Sequence, residues 1–165
     1  MMLARTGAEA EPEAPFLKLT VAGQLCGIAV EAIRDILSDQ PITRIPLAPE
    51  EVAGGLNLRG RIVTAVDLRR RLKLPARSPG DPRMSVVTEQ GTELYALLVD
   101  EVAEVVPLRR SAMEANPPTL EPGWAMFSDG VFPLDGALMV VLNVERLLAV
   151  DAAGAVRNRP VHELA

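Results

Sequence analysis

An internal repeat constrains the fold of this chain more than any other feature of its sequence. Gly136 matches Gly60 at a shift of 76 residues, and the same shift places Leu134 on Leu58. The match continues without gaps: Ile62, Val63, Val66, Asp67, Leu68, Arg70 and Leu72 lie opposite Leu138, Met139, Leu142, Asn143, Val144, Arg146 and Leu148. A strand, a glycine turn, a second strand and a short helix capped by Asp or Asn are therefore predicted twice.

A second block repeats earlier in each half, at a shift of 69 residues. The residues Leu25, Ile28, Val30, Glu31, Ile33, Asp35 and Ile36 lie opposite Leu94, Leu97, Val99, Asp100, Val102, Glu104 and Val105. Because both blocks occur in the same order in each half, we infer a duplicated unit whose two copies have a pseudo-twofold relation.

Each copy contains about five short strands. Alternating apolar residues over 16–21 and a returning segment over 25–30 predict the first hairpin. The i, i+3, i+7 spacing of Val30, Ile33 and Leu37 predicts one or two helical turns before a short strand over 42–46. Five short strands leave exposed edges unless the sheet curls, so we expect a mostly β fold of two pseudo-symmetric five-stranded barrels with short helices.

The two barrels are too small to be stable alone, since about 60 to 70 residues rarely supply a sufficient core. We therefore expect them to be docked or intertwined, with a binding groove between them. We predict a disordered leader over residues 1–14, one domain over 15–150 with a linker near 75–82, and a polar tail over 151–165.

Composition excludes several classes of function. The 17 Lys and Arg residues against 22 Asp and Glu residues argue against nucleic acid as a partner. Because Cys26 is the only cysteine, a disulfide framework and a zinc site of several thiolates are excluded. The apolar stretches fall far short of the roughly 20 residues that span a bilayer, so we expect no membrane insertion. Without a phosphate-loop motif or a histidine pair, and with His162 as the only histidine, we expect no enzyme, no metal site and no cofactor.

Two charged groups invite a functional interpretation but have a simpler one. Asp100, Glu101 and Glu104 could imitate a carboxylate site, although neighbouring strand residues face opposite ways and a solvated edge is expected. The arginines over 69–71 form the strongest basic run of the chain. Because helical geometry points three consecutive side chains in different directions, they do not form one basic patch, and we expect a solvated face. Trp124 and Phe127 are expected to pack against the second barrel.

A short motif in the first copy links the chain to a known family. The motif reads Asn57-Leu58-Arg59-Gly60, then Ile62-Val63 and Val66-Asp67-Leu68-Arg69, and is echoed by Leu97-Leu98-Val99-Asp100 and by Asn143-Val144-Glu145-Arg146-Leu147-Leu148. With these motifs, the region over 16–148 resembles the CheW-like adaptors of bacterial chemotaxis. The resemblance implies two SH3-like barrels that join a CheA-type histidine kinase, through its regulatory domain, to the cytoplasmic tips of methyl-accepting chemoreceptors. It also implies a cytoplasmic location, peripheral to the receptor arrays of the inner membrane.

The resemblance further implies receptor-binding residues. These are Arg59, Val30, Ile33, Gly54 and Val105, with Gly60 at the adjoining turn. An arginine at a hairpin tip can make a bidentate contact with a partner carboxylate, although a solvated turn arginine is the simpler interpretation. Core packing would explain the apolar residues, and backbone geometry would explain the glycines. Ala32 and Thr64 depart from the family, in which glutamate and proline are frequent at these places.

Two other functions remain open at this point. Because small barrels carry many functions, the chain could be a β-barrel module that binds a peptide or a small ligand and is unrelated to chemotaxis. A carboxylate-dependent hydrolase is a weaker alternative.

Overall fold

The structure is a computed structural model and describes residues 11–149. In this range the strands, β1 to β10, are Ala14–Val21, Gln24–Ala29, Ile33–Leu37, Val52–Leu58, Arg61–Asp67, Met84–Gln90, Glu93–Val99, Glu101–Leu108, Ser128–Leu134 and Ala137–Leu142. The helices, α1 to α3, are Leu68–Arg71, Pro122–Ala125 and Val144–Leu148, and short 3₁₀ turns span Val30–Ala32 and Arg110–Ala112. The predicted tail and residues 1–10 of the predicted leader lie outside the described residues.

The strands form two five-stranded sheets with the same internal order. Sheet 1 has the order β8-β1-β2-β10-β9, and sheet 2 has the order β3-β6-β7-β5-β4. Each strand of sheet 1 corresponds to the strand of sheet 2 whose number differs from its own by five. Each sheet also has one parallel pair of strands, β2 with β10 in sheet 1 and β7 with β5 in sheet 2, and these two pairs occupy equivalent positions. The mostly β, pseudo-symmetric fold predicted from the repeat is confirmed.

The sheets do not coincide with the sequence repeats. Sheet 2 uses one continuous stretch, 33–99, whereas sheet 1 combines 14–29 with 101–142. The third strand of each repeat pairs with the first strand of the other repeat, β3 with β6 and β8 with β1, which covers edges that would otherwise be exposed. The segment over 75–82 connects β5 to β6 within sheet 2, so it joins the two repeats without joining the two barrels.

The largest hydrophobic cluster lies between the two sheets. Leu19 and Ile28 from sheet 1 meet Val86 and Leu97 from sheet 2, and all four are buried. Smaller clusters fill the barrel interiors, one around Leu56, Val63, Val87 and Leu98 and the other around Phe16, Phe132, Met139 and Val141. Since the shared cluster is the largest, docking of the barrels supplies much of the buried apolar surface. Trp124 and Phe127 are buried in it.

Local turn chemistry agrees with the sequence. The hairpin turns carry positive φ at Arg59 and Gly60 (50° and 88°), and at Asp135 and Gly136 (46° and 82°). Asp67 caps α1 by accepting a hydrogen bond from the Arg69 amide at 3.0 Å. Asn143 caps α3 in the same way, accepting from the Arg146 amide at 2.8 Å.

Two local predictions are wrong. The helical turns expected from Val30, Ile33 and Leu37 are reduced to the 3₁₀ turn Val30–Ala32, and Ile33–Leu37 is strand β3. Its β-branched residues pair with the otherwise open edge of β6, which overrides the weak helical spacing. The segment over 42–46 forms one isolated bridge, between Thr43 and Gly55, and is not a strand.

Candidate functional site

Arg59 lies at the exposed tip of the hairpin that joins β4 to β5. The turn is fixed by the Asn57 Oδ1 atom, which accepts a hydrogen bond from the Gly60 amide at 2.9 Å. The Arg59 side chain is 76% exposed, and its Nη2 atom lies 3.0 Å from the Asp35 Oδ2 atom. A rigid turn therefore presents a guanidinium with most of its surface in solvent, anchored at one end by a carboxylate.

Asp35 is a site residue that sequence reasoning missed. It lies on β3, and its distance from Arg59 depends on how the hairpin tip folds over that strand. The internal repeat does not reveal this contact. It places Asp35 opposite Glu104, which shows only that both copies carry an acidic residue at this position.

A cleft of about 470 Å³ opens beside Arg59. Its rim combines three arginines with two carboxylates, and its floor is apolar; the lining residues are Arg34, Asp35, Leu58, Arg59, Arg61, Val87, Glu89, Thr92 and Leu94. The Arg34 Nε atom donates to the Glu89 Oε1 atom at 3.0 Å. Basic groups around an apolar floor suit a partner that offers both carboxylates and apolar side chains.

Val30 and Ile33 lie at the border between the sheets, and Val105 lies on an edge strand of sheet 1. Val30 and Ile33 are half-buried against the rim of the inter-sheet cluster, at the place where the chain passes from β2 to β3. Val105 is 50% exposed on the edge strand β8 and pairs with Leu17, which in turn pairs with Ile28. We group these three residues with Arg59, the other residue for which the resemblance implies receptor contact through an exposed side chain, under the name crossover surface (Val30, Ile33, Arg59 and Val105).

Gly54 does not lie on the crossover surface. It is buried on β4 with a φ of 149°, and a Cβ atom there would clash with the Thr43 carbonyl oxygen and lie 2.8 Å from Ile42 Cγ2. The position therefore requires glycine for the close approach of the 42–43 segment. A Cβ atom at Gly60, by contrast, would point into open space, so the requirement for glycine there comes from the turn alone.

The expectation that residues 69–71 are a solvated face is wrong for two of the three arginines. Arg71 is buried; its Nε atom donates to the Leu147 carbonyl at 2.8 Å and its guanidinium lies 4.8 Å from the centre of the Phe127 ring. Arg69 makes a two-point contact with Asp100, at 2.8 and 3.2 Å. Only Arg70 is exposed to a large extent, since helical geometry turns the other two toward the second repeat.

The expected solvated position of Asp100 is also wrong. Its side chain is only 10% exposed and accepts hydrogen bonds from Arg69, from Arg77 at 2.9 Å and from the Ala22 amide at 2.7 Å. Burial by itself would raise the pKa of Asp100, but the bonds from Arg69, Ala22 and Arg77 outweigh it and hold the pKa below its ordinary value. Glu101 and Glu104 are exposed, as expected.

A protein-family model, described as CheW-like domain, matches residues 15–152. The chain belongs to this family. Two chemotaxis proteins CheW are similar to it: that of Rhizobium meliloti (strain 1021) is 26% identical over 79% of this chain and 84% of the relative, and that of Bacillus subtilis (strain 168) is 25% identical over 88% and 94%. The crystal structure of the scaffolding protein TtCheW from Thermoanaerobacter tengcongensis superposes with a TM-score of 0.76 and 26% identity, covering 88% of this chain and 99% of that one.

Cys26 is buried in sheet 1 of this CheW-like domain. Burial raises the pKa of the Cys26 thiol strongly, which disfavours the thiolate needed of a nucleophile. Among residues 11–149, His, Cys, Asp and Glu side chains form no group of three that could hold a metal ion. No helix in the same range is long and apolar enough to cross a membrane.

Proposed function

We propose that this CheW-like chain is a non-catalytic chemotaxis scaffold that couples chemoreceptor tips to a CheA-type histidine kinase. The family match over most of the chain supports this proposal, as do the relatives, which are chemotaxis proteins CheW. The scaffold acts in the cytoplasm, beside the receptor arrays of the inner membrane, and requires no cofactor.

The receptor tip binds at the crossover surface. The observation that carries this assignment is the display of Arg59 on a rigid hairpin, with one donor held by Asp35 and the rest available to a partner. Val30, Ile33 and Val105 add partly exposed apolar contacts of the kind that an amphipathic helix requires. The alternating acidic and apolar residues of a receptor helix would complement this combination.

The regulatory domain of the kinase binds elsewhere, at the exposed edges of the barrels. Of the edge strands, β8 and β3 carry Val105 and Ile33 of the crossover surface, which leaves β9 in sheet 1 and β4 in sheet 2 as edges against which a domain of similar fold can pack. Separate surfaces allow both partners to bind at once. Weak individual contacts then become strong through multivalency in an assembled array.

Replacement of Arg59 tests the receptor assignment. Arg59→Glu removes a charge-assisted contact of about 1.5 to 3 kcal/mol, so receptor-fragment affinity should fall at least tenfold. Arg44→Glu is the matched control, because Arg44 is an exposed arginine whose replacement makes the same change in net charge outside the crossover surface. Calorimetric titration with a soluble receptor-tip fragment measures the affinities, and binding of the kinase regulatory domain should be the same in both variants. Wild-type receptor affinity in Arg59→Glu would remove Arg59 from the site.

A further inference from the structure

The chain passes between the two sheets at two equivalent places within the described residues. The first passage, from β2 to β3, is the 3₁₀ turn Val30–Ala32, and the second, from β7 to β8, is the single residue Asp100. The repeat places Glu31 opposite Asp100, so both passages carry an acidic residue at the same position. Their surroundings nevertheless differ.

Asp100, the second passage, is hydrogen-bonded to four other residues of the chain. Its carboxylate accepts from Ala22 in the β1–β2 turn, from Arg69 on α1 and from Arg77 in the 75–82 segment. Its amide donates to the Thr20 carbonyl at 3.0 Å. All three charged side chains are nearly buried, at 10 to 13% exposure. A buried carboxylate with this many donors strongly resists displacement, because any opening leaves charges unpaired.

The Glu31 passage is held much more weakly. Val30 and Ala32 of its 3₁₀ turn pack against the inter-sheet cluster but are only partly buried, and Glu31 is exposed. The Glu31 side chain is 77% exposed, and its ion pair at 3.3 Å is with Arg110, which is itself half exposed. Exposed ion pairs contribute little to stability, so this passage is held mainly by partly buried apolar contacts and should open more readily than one held by a buried charge network.

We propose that Asp100 is the fixed joint that sets the relative position of the two sheets, and that the passage over 30–33 is the adaptable joint that rearranges when a partner helix binds. The second half of this statement rests on the proposed function, because Val30 and Ile33 belong to the crossover surface. The first half concerns the free protein alone. The shared core between the sheets restricts any rearrangement to the local passage and keeps the sheets in register.

Hydrogen exchange of the full chain, followed by mass spectrometry, tests the difference between the joints. In the free protein, amides over 30–33 should exchange at least tenfold faster than those over 99–101. Asp100→Asn should accelerate exchange at least tenfold at Ala22 and over 74–78, whereas the equivalent substitution Glu31→Gln should leave the whole pattern unchanged. Equal exchange at the two passages, or equal effects of the two substitutions, would overturn the proposal.

A milder variant covers the case in which Asp100→Asn does not fold. Arg77→Gln removes one arginine and leaves the Arg69 contact, so faster exchange should be confined to the 75–82 segment and Asp100. Arg83→Gln is its control, since Arg83 directly follows that segment, pairs with Asp39 at the surface and has its contacts away from Asp100. Equal effects of Arg77→Gln and Arg83→Gln would contradict a fixed joint at Asp100.

Addition of the receptor-tip fragment separates this inference from the proposed function. Binding should slow exchange over 30–33 several-fold and leave 99–101 unchanged. Binding without protection over 30–33 would overturn the adaptable joint while the proposed function survived. Failure of the fragment to bind would overturn both the proposed function and the rearrangement of the 30–33 passage on partner binding. The fixed joint at Asp100 would still be tested by hydrogen exchange of the free protein.

Discussion

At the scale of single residues, charge placement is the least predictable property of this protein. Asp100 and Arg69 stand 31 positions apart, and neither carries a local signal that it will be buried. Sequence places each of them in solvent because charged side chains are rarely buried without a partner. Folding brings the partners together, and the pair then becomes part of the interior.

The ionisation of Asp100 should make stability depend on pH. The folded-state pKa of Asp100 lies below the unfolded value of about 3.9, so its contribution is complete above that value and is lost as the pH falls through the folded-state pKa. At pH 7, Asp100→Asn should lower the free energy of unfolding by about 3 kcal/mol, because Arg69 and Arg77 lose their buried counter-charge.

Urea unfolding of both proteins at pH 7, 5, 4 and 3 measures this dependence. The difference between wild type and Asp100→Asn should stay constant from pH 7 to 5 and shrink below about pH 4. A constant difference down to pH 3 would show that the carboxylate charge does not contribute.

At the scale of elements, turns and caps follow directly from sequence, whereas β3 does not. Gly60 and Gly136 mark their hairpins because positive φ is a local requirement that few residues meet. Asp67 and Asn143 cap their helices by contacts within three residues. Strand β3 depends on the distant edge of β6, so periodicity alone assigns it to the wrong type of structure.

The two glycines of the first repeat should respond differently to alanine. Gly60→Ala adds a methyl group to open space at a φ of 88°, and a strained backbone should cost about 1 kcal/mol. Gly54→Ala adds a clash with the Thr43 carbonyl to an unfavourable φ, and should cost about 3 kcal/mol or more. Chemical denaturation measures both losses. Similar losses in the two variants would mean that the 42–43 segment moves away easily and does not pack tightly on β4.

At the scale of the whole molecule, the fold is held together by exchange of strands between the repeats. Neither repeat contains a complete sheet, since β3 and β8 pair outside their own repeat. The segment over 75–82 carries covalent continuity between the repeats but contributes no strand. The interior between the sheets therefore requires both halves of the chain.

A chain divided inside this segment should still assemble. Co-expressed fragments 1–79 and 80–165 should purify as a 1:1 complex with the circular dichroism spectrum of the intact protein, because every pairing between the repeats is non-covalent. Each fragment expressed alone should be unfolded or aggregated, since it lacks partner strands for both sheets. A fragment that folds alone as a stable monomer would contradict this account of the core.

The sequence by itself determined the duplication, the mostly β character, both glycine hairpins, both helix caps and the family motif around Arg59. These features depend on contacts within a few residues, whose geometry the residue types fix. Only the tertiary structure decided that β3 and β8 are exchanged, that Asp35 holds Arg59, and that Asp100 is buried beneath Arg69 and Arg77. Those contacts join residues far apart in the chain, and many alternative partners of the same charge or hydrophobicity exist until packing of the whole interior selects one.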